Sequence, residues 1–154
     1  MSALPDALPR FRRMTPDDLN VVEDIERAVY TYPWTRGNFI DSLDAGYHCW
    51  ILSRAGDITG YAVVMIAAGE AHLLNLSIAP EAQRVGLGSA LMRFVIKLAA
   101  DYDALSIFLE VRASNAAALA LYACHGFSEI GVRNGYYPAC EGRENAVTME
   151  LKLS

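Results

Sequence analysis

With 154 residues, 53% of them hydrophobic and 20% charged, the chain has the length of one domain and ample material for a single core. The net charge of -5, from 18 acidic against 13 basic residues, argues against a general nucleic-acid binder, because neutralising phosphates takes clustered Lys and Arg. Cys49, Cys124 and Cys140 are odd in number and widely spaced, with no C-x-x-C pair, so they indicate neither a disulfide framework nor a zinc site. Between Met1 and Met14 there is no apolar run long enough for a signal peptide or a membrane span. A cytoplasmic protein is therefore expected, with no membrane association and no direct nucleic-acid binding. No repeat or linker divides the sequence, so one domain over residues 1–154 is expected, with a flexible extension at 1–9. The oligomeric state has no signature in the sequence.

A short strand near Arg10 to Arg13 leads to Thr15-Pro16-Asp17-Asp18, where Thr15 can cap and Pro16 can open a helix running to about Tyr30. Its apolar stripe is Leu19, Val22, Ile25 and Val29. Tyr32-Pro33-Trp34-Thr35 breaks that helix, and Thr35 can cap a second one carrying Phe39, Ile40 and Leu43. Cys49 to Ser53 and Thr59 to Ile66 read as a hairpin around Arg54-Ala55-Gly56-Asp57. A turn at Ala68-Gly69-Glu70 leads into a strand from about His72 to Ile78. Gly86 to Ala100 then places Leu87, Leu91, Phe94, Val95 and Leu98 on one helix face. In the strand Leu105 to Val111, Leu105, Ile107, Leu109 and Val111 alternate with Ser106, Phe108 and Glu110. Parallel pairing of the strands on either side of that helix is the βαβ expectation. Ser114 can cap a short helix from Asn115 to about His125, ended by Gly126. Phe127 to Arg133 and Ala146 to Leu153 make the last two strands.

The segment Gln83-Arg84-Val85-Gly86-Leu87-Gly88-Ser89 lies between a strand and a helix N-terminus. Unsatisfied N–H groups and the positive end of the helix dipole converge there, glycines let the backbone approach an anion, and Arg84 adds a cation, so a diphosphate is the natural ligand. It is not a P-loop, because Gly88-Ser89-Ala90 lacks the lysine. A dinucleotide fingerprint would need Gly or Ala at position 91, which is Leu91. An ordinary strand-to-helix turn is the competing explanation of the glycines.

Two further residues bear on chemistry. Glu110 is a charged residue in an otherwise apolar strand, at the end expected to open toward a ligand crevice; an ion pair with Arg112 or an edge position facing water would also account for it. Tyr122 lies twelve residues on in the short helix, where a core aromatic with a locally bonded hydroxyl is the alternative. The histidines His48, His72 and His125 are scattered and suggest no metal site. Cys124 lacks any evident histidine-carboxylate partner for nucleophilic work.

Gln-Arg-x-Gly-x-Gly after Leu76-Ser77-Ile78-Ala79-Pro80 resembles the acetyl-CoA pyrophosphate loop of the GNAT acetyltransferases. The string Leu109-Glu110-Val111-Arg112-Ala113-Ser114-Asn115-Ala116-Ala117-Ala118-Leu119-Ala120-Leu121-Tyr122, then Gly126-Phe127, resembles the RimI branch of that family, which acetylates an N-terminal alanine of a small-subunit ribosomal protein. Tyr32-Pro33-Trp34-Thr35 and the late segment Arg133-Asn134-Gly135-Tyr136-Tyr137-Pro138 with Gly142-Arg143-Glu144 are similar to segments of the same branch, although Gly135 stands where relatives often carry a larger polar residue. The resemblance implies an α/β (mixed α+β) GNAT acyl-CoA N-acyltransferase fold, a central mixed sheet of about seven strands with helices on both faces. It implies acetyl-CoA as co-substrate and no metal. Arg84, Val85, Gly86, Leu87, Gly88 and Ser89 would hold the diphosphate. Leu76, Ser77 and Ile78 would offer backbone hydrogen bonds to the pantetheine arm, and Asn115 would contact the coenzyme. Glu110 would accept a proton and Tyr122 would donate one to the coenzyme thiol. Trp34, Tyr136 and Tyr137 are candidates for lining a peptide groove.

The function the resemblance implies is transfer of an acetyl group from acetyl-CoA to the N-terminal amine of a protein, with the N-terminal alanine of a small-subunit ribosomal protein as the expected substrate. Acetylation of lysine side chains or polyamines and a non-catalytic acetyl-CoA-binding module are the alternatives. A lysine amine, with a pKa near 10.4 against about 7.7 to 8.0 for an α-amine, demands a stronger base or a drier site.

Overall fold

The structure is a computed structural model that describes residues 8–153; the expected N-terminal extension falls, for residues 1–7, outside the described residues. In chain order the elements are β1 (Arg10–Arg13), α1 (Leu19–Val29), α2 (Arg36–Asp44), β2 (His48–Arg54), β3 (Asp57–Ala67), β4 (Glu70–Ile78), α3 (Leu87–Asp101), β5 (Ser106–Arg112), α4 (Ala116–Cys124), β6 (Ser128–Pro138) and β7 (Arg143–Lys152). The strands form a seven-stranded sheet in the order β1-β2-β3-β4-β5-β7-β6. It is mixed, as expected: β4 and β5 pair in parallel, whereas β1 with β2, β2 with β3, β5 with β7 and β6 with β7 are antiparallel. The parallel ladder between β4 and β5 runs from Glu70↔Ser106 to Leu73↔Leu109.

The chain forms two compact units, one built from residues up to Val64 together with Asn75–Val95, the other from Met65–Leu74 together with Ile96 onward. In the first unit, Leu19, Val22 and Ile25 are buried from the expected stripe of α1, and Val29 packs against them more loosely. Burying each such side chain contributes roughly 1.5–3 kcal/mol. The helix begins one turn later than expected, because Pro16–Asp18 forms a 3-10 turn first. Asp18 anchors that turn: its carboxylate accepts from Arg12 Nη1 and Nη2, at 2.9 and 2.8 Å, and from the Thr15 N–H at 2.8 Å. Thr15 is therefore capped by Asp18 as well as being a cap. In α2 Phe39 is fully buried and Leu43 packs on the core, whereas Ile40 is 38% exposed. One residue past Phe39 is 100° around the helix, too far to share its face.

In the second unit β5 alternates as read, with Ile107, Leu109 and Val111 buried. Leu105 is not part of that face. It precedes the strand, is 64% exposed, and uses its backbone instead, donating to Gly69 O and accepting from Leu153 N. Helix α4 is capped by Asn115 rather than Ser114: the Asn115 side chain accepts the Ala118 N–H at 3.1 Å, while the Ser114 N–H goes to Glu144. The last two strands are longer than their hydrophobic alternation suggests, because the late segment from Arg133 to Pro138 continues as a hairpin with β7. Tyr136 and Tyr137 thus lie in a strand, Tyr136 within an irregularity between Arg133 and Tyr137, where pairing resumes opposite Glu144. Gly135 occupies that bulge at φ 59°, its N–H bonded to Asn145 Oδ1 at 2.9 Å. A small residue there relieves a left-handed conformation that a larger one would strain.

Candidate active site

Between the end of β4 and α3, the chain turns through a second 3-10 segment, Pro80–Ala82, and then through Arg84 at φ 67° and Gly86 at φ 83°. Two left-handed residues in three fold the loop back onto the helix entrance, and the non-glycine one costs about 1 kcal/mol. The Ala90 N–H donates to Gly86 O, so the preceding N–H groups of Leu87 and Gly88 cannot bond within the helix. The loop is tied to β4 by the Gln83 side chain, whose amide donates to Ile78 O at 3.0 Å. Backbone donors, the positive end of a 15-residue helix and the exposed Arg84 together make a donor set whose chemistry fits a diphosphate.

Residues 76–78 of β4 are held from the other side. Leu76 O accepts the Tyr30 hydroxyl at 3.2 Å, Ser77 is 2% exposed, and the Ser77 Oγ donates to Asn75 Oδ1 at 2.7 Å. Two of the three expected carbonyls therefore already take a side-chain donor, leaving their second lone pairs for a ligand. Gly60 of β3 allows the close approach: a Cβ there would stand 2.7 Å from both Ser77 O and Ile78 Cδ1. The clue in the sequence is a glycine inside an apolar strand, which marks such an approach.

A carboxylate that sequence reading passed over organises this region. Glu26 of α1 is 2% exposed. Its Oε1 accepts the Tyr61 hydroxyl at 2.7 Å and Asn75 Nδ2 at 3.0 Å, and its Oε2 accepts the Trp34 N–H at 2.9 Å. Burial, then the Glu26 charge, pushes the Tyr61 phenol far up, so it stays a donor. Position 26 is four residues past Val22 and three before Val29, on the buried stripe, and a charge there was the available signal. Trp34, expected at a peptide groove, is partly buried, with its ring tilted on Phe39 at 5.1 Å.

In the second unit the structure brings Glu110 together with Tyr136 and Tyr137 through arginines. The Glu110 side chain is 29% exposed and pairs with Arg133, Nε to Oε2 at 2.9 Å. Arg112, the partner that sequence proximity suggests, is instead committed to Glu144 at 3.1 Å and to Pro138 O at 2.7 Å. Hydrogen bonds from Ser114, then from Arg112, hold the Glu144 carboxyl below its usual range. Arg133 also lies 4.8 Å over the Tyr136 ring, Arg112 lies 4.5 Å over Tyr137, and the two rings meet edge to face at 4.9 Å. Burial, then the Glu110 carboxylate, pushes the Tyr137 phenol up to about 12, so its proton stays on. Tyr122 of α4 is 8% exposed, with its ring 5.7 Å from that of Phe127. Asn115 spends its side-chain oxygen on the α4 cap. Cys124 is exposed on that helix as a free thiol.

Comparison with known proteins places the fold in a family. The profile of the acetyltransferase (GNAT) family matches residues 19–127. The chain is 37% identical over 137 residues to the [Ribosomal protein bS18]-alanine N-acetyltransferase of Escherichia coli (strain K12), covering 89% of this chain and 93% of that one. The crystal structure of the ribosomal-protein-S18-alanine N-acetyltransferase from Escherichia coli superposes with a TM-score of 0.89 at 35% identity, over 96% of this chain and 95% of that one. Ard1 from Thermoplasma volcanium superposes with a TM-score of 0.84 at 27% identity, over 95% and 98%. The chain belongs to the acetyltransferase (GNAT) family and is an N-acetyltransferase that takes its acetyl group from acetyl-CoA.

Proposed function

We propose that the protein, working as one catalytic domain, acetylates the N-terminal α-amine of another protein, with the N-terminal alanine of a small-subunit ribosomal protein as its substrate. The N-acetyltransferase activity of the E. coli relative on a ribosomal-protein alanine, in a chain aligned over most of both lengths, supports this choice. The observation that carries the chemistry is the Glu110–Arg133 pair beside the two tyrosines: a partly exposed carboxylate held by one exposed arginine.

Acetyl-CoA supplies an electrophilic thioester carbonyl. Arg84, Val85, Gly86, Leu87, Gly88 and Ser89 hold its diphosphate with backbone N–H groups and one guanidinium, and Leu76, Ser77 and Ile78 bond its pantetheine arm. Asn115, at the cap of α4, contacts the coenzyme. Glu110 accepts the proton of the attacking amine, directly or through water; an α-amine with a pKa near 8 asks no more than a modest base. The Tyr122 hydroxyl gives a proton where the thiolate departs. Tyr136 and Tyr137, with Trp34, line the path of the incoming peptide, offering flat amphipathic faces to an extended backbone. Among the described residues no helix is long and apolar enough to cross a membrane, and a cytoplasmic location is proposed because a ribosomal substrate is made there.

Initial rates on an Ala-starting peptide, the same peptide blocked at its N-terminus, and spermidine test the substrate class. Acetylation of the free peptide alone is expected; equal rates on the blocked, lysine-containing peptide would overturn the proposal. Tyr122→Phe should depress turnover by about tenfold or more while acetyl-CoA affinity changes little. A variant as fast as its parent removes Tyr122 from the mechanism.

A further inference from the structure

Glu26 is a charged residue on the buried stripe of α1, and among the described residues its side-chain partners are neutral donors. Taking a carboxylate out of water is costly, and an apolar residue of similar volume usually serves packing as well or better. What the carboxylate does, and an apolar side chain cannot, is gather three donors that come from three separate stretches of chain: the Trp34 backbone after α1, Tyr61 on β3 and Asn75 on β4. The network continues along β4. Ser77 gives its proton to Asn75 Oδ1 at 2.7 Å, so the Tyr30 hydroxyl, 2.8 Å from Ser77 Oγ and 3.2 Å from Leu76 O, is the donor toward the strand. Tyr30 is also the residue whose N–H closes α1 on Glu26 O at 3.0 Å. The Trp34 segment and the Asn75–Ser77 stretch are thus both referred to one carboxylate and one helix end.

We infer that Glu26 is a positioning residue for the acetyl-transfer site: its carboxylate fixes the Trp34 segment and the Asn75–Ser77 stretch of β4 together, so that one buried ion sets both a peptide-lining segment and the strand that bonds the coenzyme arm. The inference rests on the reading above for what those two segments bind. Its directionality makes it specific. Glutamine offers one acceptor and one N–H₂ in place of two acceptors, so whichever way the amide turns it faces at least one of the three donors with a donor of its own.

The test is Glu26→Gln in the full-length protein, with Asp24→Asn, an exposed acid on the same helix paired with Arg27, as control. The expected result is acetyl-CoA affinity by calorimetry weakened about tenfold, KM for the Ala-starting peptide raised by a similar factor, and kcat within about twofold, the pattern of lost binding with intact chemistry. Hydrogen exchange at the Trp34 amide should accelerate in parallel, and the control should match the parent. A role confined to stability would lower the active fraction and leave dissociation constant and KM where they were; that result overturns the inference. Tyr30→Phe keeps the carboxylate and decides the matter should Glu26→Gln not fold. It should weaken acetyl-CoA about threefold with peptide KM unchanged, and an unaltered coenzyme affinity would overturn it. If the parent binds acetyl-CoA but acetylates no Ala-starting peptide, the substrate reading fails on its own, and calorimetry with Trp34 exchange still decides the role of Glu26.

Discussion

Glu26 and Glu110 are both carboxylates set among apolar residues, one on the buried stripe of α1 and one between Leu109 and Val111 of β5, and their surroundings differ in kind. Glu26 is nearly sealed, and its two oxygens receive three neutral donors from side chains and backbone. Glu110 keeps part of its surface open, and its ionic contact is with Arg133, whose side chain is 57% exposed. A saturated carboxylate in a dry core is fixed in place, because moving it would strand several donors. A carboxylate in a partly wet pair can exchange its partner for a ligand at little cost, since exposed pairs are worth about 1 kcal/mol or less. The first arrangement builds shape, and the second leaves a group able to handle a proton.

The largest effect that would sharpen this contrast is on activity. Glu110→Gln should lower kcat by about a hundredfold, the usual yield of a positioned general base, while the melting temperature stays close to that of the parent. A loss of fold in place of a loss of rate would make Glu110 the structural member of the pair. Glu26→Ala should show the reverse, a destabilisation of about 3 kcal/mol in urea titration, from donors left unpaired in the core; a change below about 0.5 kcal/mol would break the comparison.

Gly60→Ala probes the strand that the Glu26 network holds without touching any charge. Because the new methyl group would meet Ser77 O and Ile78 Cδ1 at 2.7 Å, overpacking should cost roughly 2 kcal/mol and weaken acetyl-CoA binding measured by calorimetry. Asp18 lies between the two cases, buried like Glu26 and paired with an arginine like Glu110. The hydrogen bond from Arg12, ahead of the Thr15 backbone bond, holds its carboxyl below the usual range. A carboxyl depressed in the folded state stabilises the fold above its unfolded pKa, near 3.9, and loses that contribution as pH falls through the lower folded value. Urea midpoints of the parent should therefore fall more steeply than those of Asp18→Asn below about pH 4, the smallest of these effects; parallel curves would show the pair to be inert.

Much of this architecture is written locally. The stripe of α1, the alternation of β5, the glycine turn before α3 and the break at Tyr32-Pro33 all follow from neighbours two to four residues apart, and the structure keeps them. The local signals failed where a long-range partner intervened. Leu105 continued the β5 alternation on paper but lies outside the strand, and Asn115 took the cap that Ser114 could have supplied while the Ser114 N–H went to Glu144.

The sequence by itself determined the periodicities, the glycine turn before α3 and the residue types proposed for acyl transfer, because dihedral preference and side-chain period depend on adjacent positions. Only the tertiary structure decided who meets whom. Glu26 reaches Tyr61 across 35 residues and Asn75 across 49, and Glu110 pairs with Arg133 rather than nearby Arg112. The physical reason is register: the β5–β7–β6 ladder sets Glu110 opposite Thr148 and Arg133 opposite Ala146, and a slip of one residue in either strand would turn the partner to the other face.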